Sequence, residues 1–389
     1  MRGPQRPRRG AELQQVQSIS DGALLIRNGV CAEVGPSRRV ENLTAARRAN
    51  VIVATGRVVI PGFVDCHVHP FSAAPWSGDA DGTARELLSV TWKRHAARVR
   101  TLMHAMIRHG TTAAQVLTTG SRDSRVESKV LRVFEALRDE PLDLSEELLL
   151  ELDPSTSPAA LESVLRRYLV GREAPAVGLT WNPEELAPEE LMRQLRVAGR
   201  TGVSLHLHAH GAAAATAIRA AAEMPVAEIG HLEEAPASMA AALAATGTIA
   251  TLTPGSYFSD KARLAPARAF IEAGVPVALA SGYRPGTGSS LNMQTAMAMA
   301  AMVLGMSPEE ALTAATFNAA CAAGCADTCG SLETGKSADL LILNISDYRE
   351  LSQHLGINQV HCTVRRGEVV YREGAVSFGS AVNGAARDE

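Results

Sequence analysis

The sequence predicts an α/β protein whose centre is a TIM-type (β/α)8 barrel, accompanied by a small β-sandwich built from both chain ends. Two observations lead to this fold class. Apolar runs of strand length alternate with helix-like stretches through most of the 389 residues, and this alternation is typical of βα units around a parallel sheet. Near both ends, short strand-like runs are instead separated by Asn-Gly, Gly-Lys or Arg-Gly turns. We therefore expect residues 1–57 and 331–389 to form the sandwich and residues 58–330 to form the barrel.

Eight apolar runs are candidates for the barrel strands, and each is followed by a stretch that can form a helix. The runs are residues 58–64, 112–117, 147–152, 176–180, 203–208, 227–231, 248–253 and 275–280. Eight such units are the number that closes a TIM-type barrel.

The intervening segments carry helix signals of their own. Val99, Leu102, Met103 and Met106 recur at helical spacing, and Gly110 can end that helix. Residues 307–310 read Ser-Pro-Glu-Glu. This order predicts a helix start, because a capping hydroxyl and a first-turn proline precede acids near the positive end of the helix dipole.

Composition and net charge argue against a disordered protein, a nucleic-acid-binding protein and a membrane protein. Hydrophobic residues make up 46% and charged residues 20% of the chain, a globular balance that argues against long disorder. The net charge of −3 gives no indication of a nucleic-acid or membrane-surface partner. No run approaches the roughly 18 apolar residues of a membrane span. We interpret the arginine-rich start as a tail, because no apolar segment follows it as in a secretory signal.

The six cysteines are scattered along the chain, which favours reduced thiols and a cytoplasmic location over a disulfide framework. Cys321, Cys325 and Cys329 recur at every fourth residue, which aligns them on one face of a helix. We interpret them as small core residues, with a metal or cluster site as the alternative.

Two histidines mark the end of the first predicted barrel strand. His67 and His69 lie two residues apart, so both imidazoles point into the barrel at its C-terminal mouth. Paired imidazoles there are good ligands for a divalent ion, and Asp65 can support them from behind. The alternative is a pair of structural histidines, which would need partners to be buried without cost.

The stretch SLHLHAH at residues 204–210 repeats the pattern on the fifth strand. His206, His208 and His210 share one face, but residues two apart on a strand stand about 6.6 Å apart, so they cannot all bind one ion. We predict that His208 is the ligand. His210, nearer the mouth, would contact substrate or water, and His206 would be a packing residue in a lower layer.

His231 ends the sixth predicted strand. From that position it would act on the substrate or hold the attacking water. The alternative is a structural role. We interpret His95, His104 and His109, on a predicted helix, and His361, in the sandwich, as unrelated to the site.

With these residues assembled, the chain resembles the metal-dependent amidohydrolase superfamily, and within it the imidazolonepropionases, which open a cyclic imidazolone in histidine catabolism. The resemblance spans nearly the whole chain. It rests on PGFVDCHVHP, HGTT, LHLHAH, GHLEEAP, PVALASGYRPGTGSS, EALTAATFNAA and GSLETGKSADLLIL.

The resemblance implies that His67, His69 and His208 bind Zn2+ or Fe and that His231 assists at the oxyanion or the substrate. In the family, the residue matching Ser281 is an aspartate that touches the metal and takes a proton from the attacking water. A serine hydroxyl is a poor ligand and is no base at neutral pH, so Ser281 is the departure most relevant to catalysis.

Three further departures lie at the mouth. The family's glutamate after the strand-five histidine aligns with His210. The substrate-binding stretch KSGYG becomes LTTGS at residues 117–121, which includes Thr119, and the asparagine of DFNPG becomes Arg284. The resemblance therefore assigns His231, His210 and Ser281 to catalysis, and Arg284, Thr119 and His210 to substrate binding.

The resemblance implies a hydrolase acting on a carbon–nitrogen bond of a small molecule, most simply a cyclic amide. Three imidazoles on zinc can acidify a water without an adjacent carboxylate, so the loss of the aspartate does not exclude catalysis. The alternatives are a homologue that binds metal or ligand without turnover, and a deaminase-like or dipeptidase-like member with another substrate. No nucleic-acid or membrane partner is expected, and a homodimer is an open alternative.

Overall fold

Parallel strands form the centre of the computed structural model, which describes residues 6–71, 80–121, 123–170, 176–255, 263–285 and 290–374. In chain order the strands are β1 (Gly22–Arg27), β2 (Val30–Pro36), β3 (Val58–Pro61), β4 (Phe63–Val68), β5 (Thr111–Leu117), β6 (Asp143–Leu152), β7 (Ala176–Trp181), β8 (Ser204–His208), β9 (Glu228–Gly230), β10 (Ile249–Leu252), β11 (Val277–Leu279), β12 (Leu340–Leu343), β13 (Val360–Arg365) and β14 (Glu368–Arg372).

The central sheet runs from β4 to β11, and each strand pairs in parallel with the next along the chain. It nearly closes on itself, because Val68 forms a parallel bridge with Tyr283 just beyond β11. In addition, the backbone N–H of His69 donates to the carbonyl oxygen of Tyr283 over 2.8 Å. The predicted eight-stranded TIM-type barrel is confirmed, and the C-terminal ends of its strands meet at one mouth.

Helices connect the barrel strands and cover the sheet. Their bounds are Ser37–Glu41, Ala80–Ser89, Trp92–Arg108, Ser124–Glu135, Pro158–Leu169, Pro188–Gly199, Ala213–Glu223, Ala240–Thr246, Ala267–Ala273, Met293–Leu304, Pro308–Ala315 and Phe317–Ala322. Short 3-10 helices span Gly10–Gln14, Ala46–Arg48, Ala237–Met239 and Tyr348–Ser352. Trp92–Arg108 buries Val99, Met103 and Met106 as its spacing predicts, and Gly110 follows it with φ of 95°.

Two antiparallel sheets are built from the ends of the chain. β1 pairs with β2, and β3 joins β12, β13 and β14 in a four-stranded sheet. Leu24 and Ile26 of β1 pack against a buried cluster that includes Leu340 and Ile342 of β12. The predicted small sandwich from both ends of the chain is thus confirmed.

The prediction that residues 58–64 form a single barrel strand is wrong. Val58–Pro61 is β3 of the terminal sheet, and the barrel strand is Phe63–Val68. The chain changes sheets at Gly62, where an added Cβ would lie 2.1 Å from Thr112 Oγ1. The apolar run continues through this point because both sheets bury it, so hydrophobicity cannot mark the change.

The six cysteines are unpaired, and the three that recur at every fourth residue pack in one cluster. All six cysteines are free thiols. Cys329 is buried beside Ala319 and Ala320, with Cys321 and Cys325 packed against that cluster, which supports the interpretation as core residues. Among the residues described, no helix combines the length and apolar character needed to cross a bilayer.

Candidate metal centre

Three strand ends bring the histidines of the mouth together. β4 carries Asp65 and His67, with His69 one residue beyond its end, and β8 ends at His208. Strand alternation turns Asp65, His67 and His69 to the same face. His231 follows β9 with φ of 60°, a left-handed conformation that a residue other than glycine rarely adopts. Such strain often marks a functional site.

The imidazoles lie close enough to share an ion. One ring nitrogen from each of His67, His208 and His231 lies within 4.8 Å of the other two. His69 Nε2 lies 3.1 Å from His67 Nε2. Two nitrogens bound to one tetrahedral zinc at 2.0–2.1 Å stand about 3.3 Å apart, so this spacing suits a shared ion as well as an N–H···N hydrogen bond. The group within mutual reach thus contains His67, His208 and His231, and His69 lies beside it in contact with His67.

Burial keeps these rings in the neutral form that a metal requires. It lowers the pKa of His67 well below the usual value, and the charges of His208 and Arg284 act in the same direction. Burial also lowers the pKa of His69, with further contributions from His67 and Arg284. Neutral imidazoles offer a lone pair without first losing a proton.

Unpaired nitrogens at the centre support a bound cation. His208 Nδ1 and His231 Nε2 are buried without a hydrogen-bond partner, which is costly unless a further group satisfies them. On its other side, His208 Nε2 lies 2.6 Å from Glu147 Oε1. A carboxylate behind a ligating imidazole is the common arrangement at metal sites. The residues present therefore fit a divalent cation.

Glu147 and Glu228 are buried acids that the sequence analysis did not single out. Glu147 Oε2 lies 2.8 Å from His206 Nδ1, and Glu228 Oε2 lies 3.2 Å from the same nitrogen. Burial lowers the pKa of His206, but the two carboxylates outweigh it and raise the pKa to about 9. Burial raises the pKa of Glu147, whereas His206 and His208 lower it overall. His206 is therefore an ionic partner, where a packing role was predicted.

A sequence signal exists for only one of these acids. Glu228 begins the short buried strand Glu228–Gly230, three residues before His231, whereas Glu147 lies in DLSEELLLEL, where Asp143, Glu146 and Glu151 are also acidic. A charged residue in a buried strand is rarely tolerated without a partner. The sequence does not show which partner it meets, because the contacts join different strands.

Ser281 is buried two residues beyond the end of β11 and contacts Asp65. Its backbone N–H donates to Asp65 Oδ1 over 3.0 Å, and its Oγ accepts from the N–H of Tyr283 over 3.1 Å. Asp65 Oδ2 is buried without a partner. Burial raises the pKa of Asp65 to about 6, while hydrogen bonds from Ser281 act against this rise.

The position of the family's aspartate needs one correction. Matching Arg284 to the asparagine of DFNPG assigns the aspartate of that motif to Gly282, one residue after Ser281. Gly282 has φ of 63°, and an added Cβ would lie 2.8 Å from Thr253 Cβ, so this backbone leaves little room for a side chain. Neither position supplies a carboxylate, whichever alignment holds.

The remaining predicted residues lie around the mouth. His210 is exposed and stacks on His231, with ring centroids 3.8 Å apart. Arg284 is partly buried, and its charge acts on His67 and His69. Thr119 follows β5, and its hydroxyl donates to Glu127 on helix Ser124–Glu135.

The four other predicted bystander histidines belong to elements outside this group. His95 and His104 lie on helix Trp92–Arg108, His109 caps that helix, and His361 lies on β13. In the described ranges, neither of the two side-chain groups with metal-like spacing includes any of them.

Comparison with known proteins agrees with the fold. The sequence model of the amidohydrolase family matches residues 58–370. Imidazolonepropionase of Porphyromonas gingivalis is 33% identical over 92% of this chain and 91% of that protein. The Deinococcus radiodurans imidazolonepropionase is 33% identical over 91% and 93%. An adenosine deaminase structure from Xanthomonas campestris with bound zinc has a TM-score of 0.66 at 18% identity, covering 90% of this chain and 88% of that one. The chain therefore belongs to the amidohydrolase family, within which it resembles the imidazolonepropionases.

Proposed function

We propose that this protein is a metal-dependent hydrolase that opens a carbon–nitrogen bond, other than a peptide bond, in a small cyclic amide. The observation that carries this proposal is the group of ring nitrogens from His67, His208 and His231, all within 4.8 Å of one another at the barrel mouth. The names of the imidazolonepropionase relatives suggest 4-imidazolone-5-propanoate as the first substrate to test. The proposal involves no nucleic acid and no membrane surface.

His67, His69 and His208 would hold the cation, which we expect to be Zn2+ or Fe, with His231 beside them. A divalent cation supplies polarisation of a carbonyl and acidification of a water. The neutral ring of His231, with its unpaired Nε2, would hydrogen-bond the carbonyl oxygen or move a proton there.

The mouth residues would bind and orient the substrate. His210 is exposed above His231 and stacks on it, so it would contact one face of the ring. The positive charge of Arg284 contributes to the lowered pKa of His67 and His69. The same charge would attract an anionic substituent such as a propanoate. Thr119 would border the site from the loop after β5.

The test is metal analysis of the purified full chain alongside a panel of cyclic amides that includes 4-imidazolone-5-propanoate. We expect about one divalent ion per chain and loss of the substrate absorbance. His67→Ala should lose the ion and at least ~100-fold in turnover. His361→Ala, on β13, should keep both. Turnover that is unchanged in His67→Ala would exclude the proposed site.

One observation favours a second candidate function, a homologue that binds metal and ligand without turnover. The carboxylate of the family is absent at both Ser281 and Gly282, and removing a general base costs about 10²–10⁴ in rate. This candidate predicts a metal-loaded native protein that binds cyclic amides but converts none. If the native chain, Ser281→Asp and Gly282→Asp all fail to open 4-imidazolone-5-propanoate, the imidazolone assignment fails.

A further inference from the structure

Glu147 contacts two histidines of the same strand at once. Its Oε1 lies 2.6 Å from His208 Nε2, and its Oε2 lies 2.8 Å from His206 Nδ1. The three side chains are between 1% and 3% exposed. Glu147 is on β6 and the histidines are on β8, so the carboxylate reaches past β7, which lies between these strands in the sheet.

Gly178 makes this reach possible. It lies on β7, where it pairs with Leu149 of β6 and with His206 of β8. A Cβ at Gly178 would lie 2.0 Å from Glu147 Oε1 and 2.5 Å from His208 Nε2. Any side chain at this position would occupy the space in which the carboxylate meets the imidazole.

The contact selects one tautomer of His208. An ionised carboxylate can only accept hydrogen bonds, so the nitrogen facing Glu147, Nε2, must carry the proton. Nδ1 then keeps its lone pair. This atom is buried without a partner. It faces Gly230 and the ring of His67: a Cβ added at Gly230 would lie 3.8 Å from His208 Nδ1 and also 3.8 Å from His67 Cε1.

The carboxylate of Glu147 is itself held in place by His206. His206 Nδ1 lies between Glu147 Oε2 and Glu228 Oε2, at 2.8 Å and 3.2 Å. The other nitrogen of His206 lies 3.2 Å from Ser204 Oγ. With both ring nitrogens in contact with partners, the His206 ring has a defined orientation and can fix the rotamer of Glu147.

We propose that Glu147 is a positioning residue, which keeps His208 in its Nε2–H tautomer and aims the Nδ1 lone pair at the cation, with His206 holding Glu147. This role rests on the proposed function, because it presupposes that a cation binds among His67, His208 and His231. It requires no contact between Glu147 and substrate. Partners behind metal-binding histidines typically contribute 10–100-fold to metal affinity.

Zinc titration of the metal-free full chain tests the role. In Glu147→Gln, the amide NH2 cannot accept a hydrogen bond, so only one of the two imidazoles keeps an acceptor. We expect zinc to bind 10–100-fold more weakly than in the native chain. Gly178→Ala should weaken zinc binding in the same direction, although it leaves the carboxylate and both imidazoles intact.

The matched control is Glu310→Gln. Glu310 is also fully buried, but it bonds Ser307 and Arg268 at the start of helix Pro308–Ala315. This substitution should lower stability and leave zinc affinity unchanged. A purely structural role for Glu147 would give the same pattern as this control, and that result would overturn the proposal.

A second readout reports the tautomer of His208 in the native chain itself. Two-bond 1H–15N spectra of the histidine rings in the metal-free native chain report each tautomer, with His208 assigned from the signal missing in His208→Gln. We expect Nε2–H at His208, and a predominant Nδ1–H form would overturn the proposal. A native chain that binds no zinc would instead contradict the proposed function. Native zinc binding with unchanged affinity in Glu147→Gln and Gly178→Ala would contradict only the positioning role.

Discussion

Single residues decide the balance of charge at the barrel mouth. Four imidazoles converge there, and the nearest acidic groups are Glu147, which contacts His208, and Asp65, which contacts Ser281. Asp65 is buried with its Oδ2 unpaired, and its Oδ1 accepts the backbone N–H of Ser281. A serine at 281 therefore leaves one carboxylate at this point of the site, where an aspartate would create two.

Ser281→Asp should destabilise the metal-free protein. A second buried carboxylate beside Asp65 brings like charges together and raises the free energy of the folded state, by about 1–3 kcal/mol. Urea unfolding in the presence of a chelator measures this difference. Ser281→Asn is the matched control, since it has nearly the same shape without the charge.

Added zinc should stabilise Ser281→Asp more than Ser281→Asn, because a cation between two carboxylates offsets their repulsion. If the two variants are equally stable without metal and respond equally to zinc, then position 281 does not face the charged part of the site.

At the scale of elements, local sequence signals identify helices and strands well where the stabilising contacts join residues close together in the sequence. Ser307 Oγ accepts from the N–H of Glu310 over 3.2 Å, and Glu310 Oε2 accepts from the N–H of Ser307 over 2.8 Å. The predicted start of helix Pro308–Ala315 is thus a complete capping box. By contrast, the apolar run of residues 58–64 hides a change of sheet, because the residues on both sides of Gly62 are apolar.

Ser307→Ala should lower the free energy of unfolding by about 1 kcal/mol, since the backbone N–H of Glu310 loses its acceptor, the Ser307 hydroxyl. Denaturant unfolding of the metal-loaded protein measures the change. Ser163→Ala, an exposed position inside helix Pro158–Leu169, should be neutral or slightly stabilising. Equal losses in both variants would mean that the capping box contributes nothing specific.

At the scale of the whole molecule, closure of the barrel connects the metal centre to global stability. The histidines of the centre come from β4, β8 and the end of β9, which are distant in sequence. A cation held by all three elements binds the folded chain and not the unfolded one, so binding should raise the stability of the entire barrel.

Removal of metal should therefore lower the midpoint of thermal unfolding, and added zinc should restore it. Free zinc at 100 times its dissociation constant corresponds to about 2.7 kcal/mol. Scanning calorimetry with and without chelator measures the shift. His67→Ala should show almost none of it. A shift of the same size in that variant would place the stabilising cation elsewhere in the protein.

The sequence by itself determined the barrel, the sandwich and the strand ends that carry His67, His69, His208 and His231. These features follow from local periodicity: strand alternation turns residues two apart to one face, and βα repetition fixes a parallel sheet. Each can be inferred from a window of a few residues.

Only the tertiary structure decided which of these side chains meet. The contact of Glu147 with His206 and His208 depends on the order β6–β7–β8 and on the space left by Gly178. The approach of His231 to His67 and His208 depends on its left-handed backbone and on the curvature of the sheet. The physical reason is that these contacts join strands through the barrel interior, where distance is set by closure of the sheet and not by spacing along the chain.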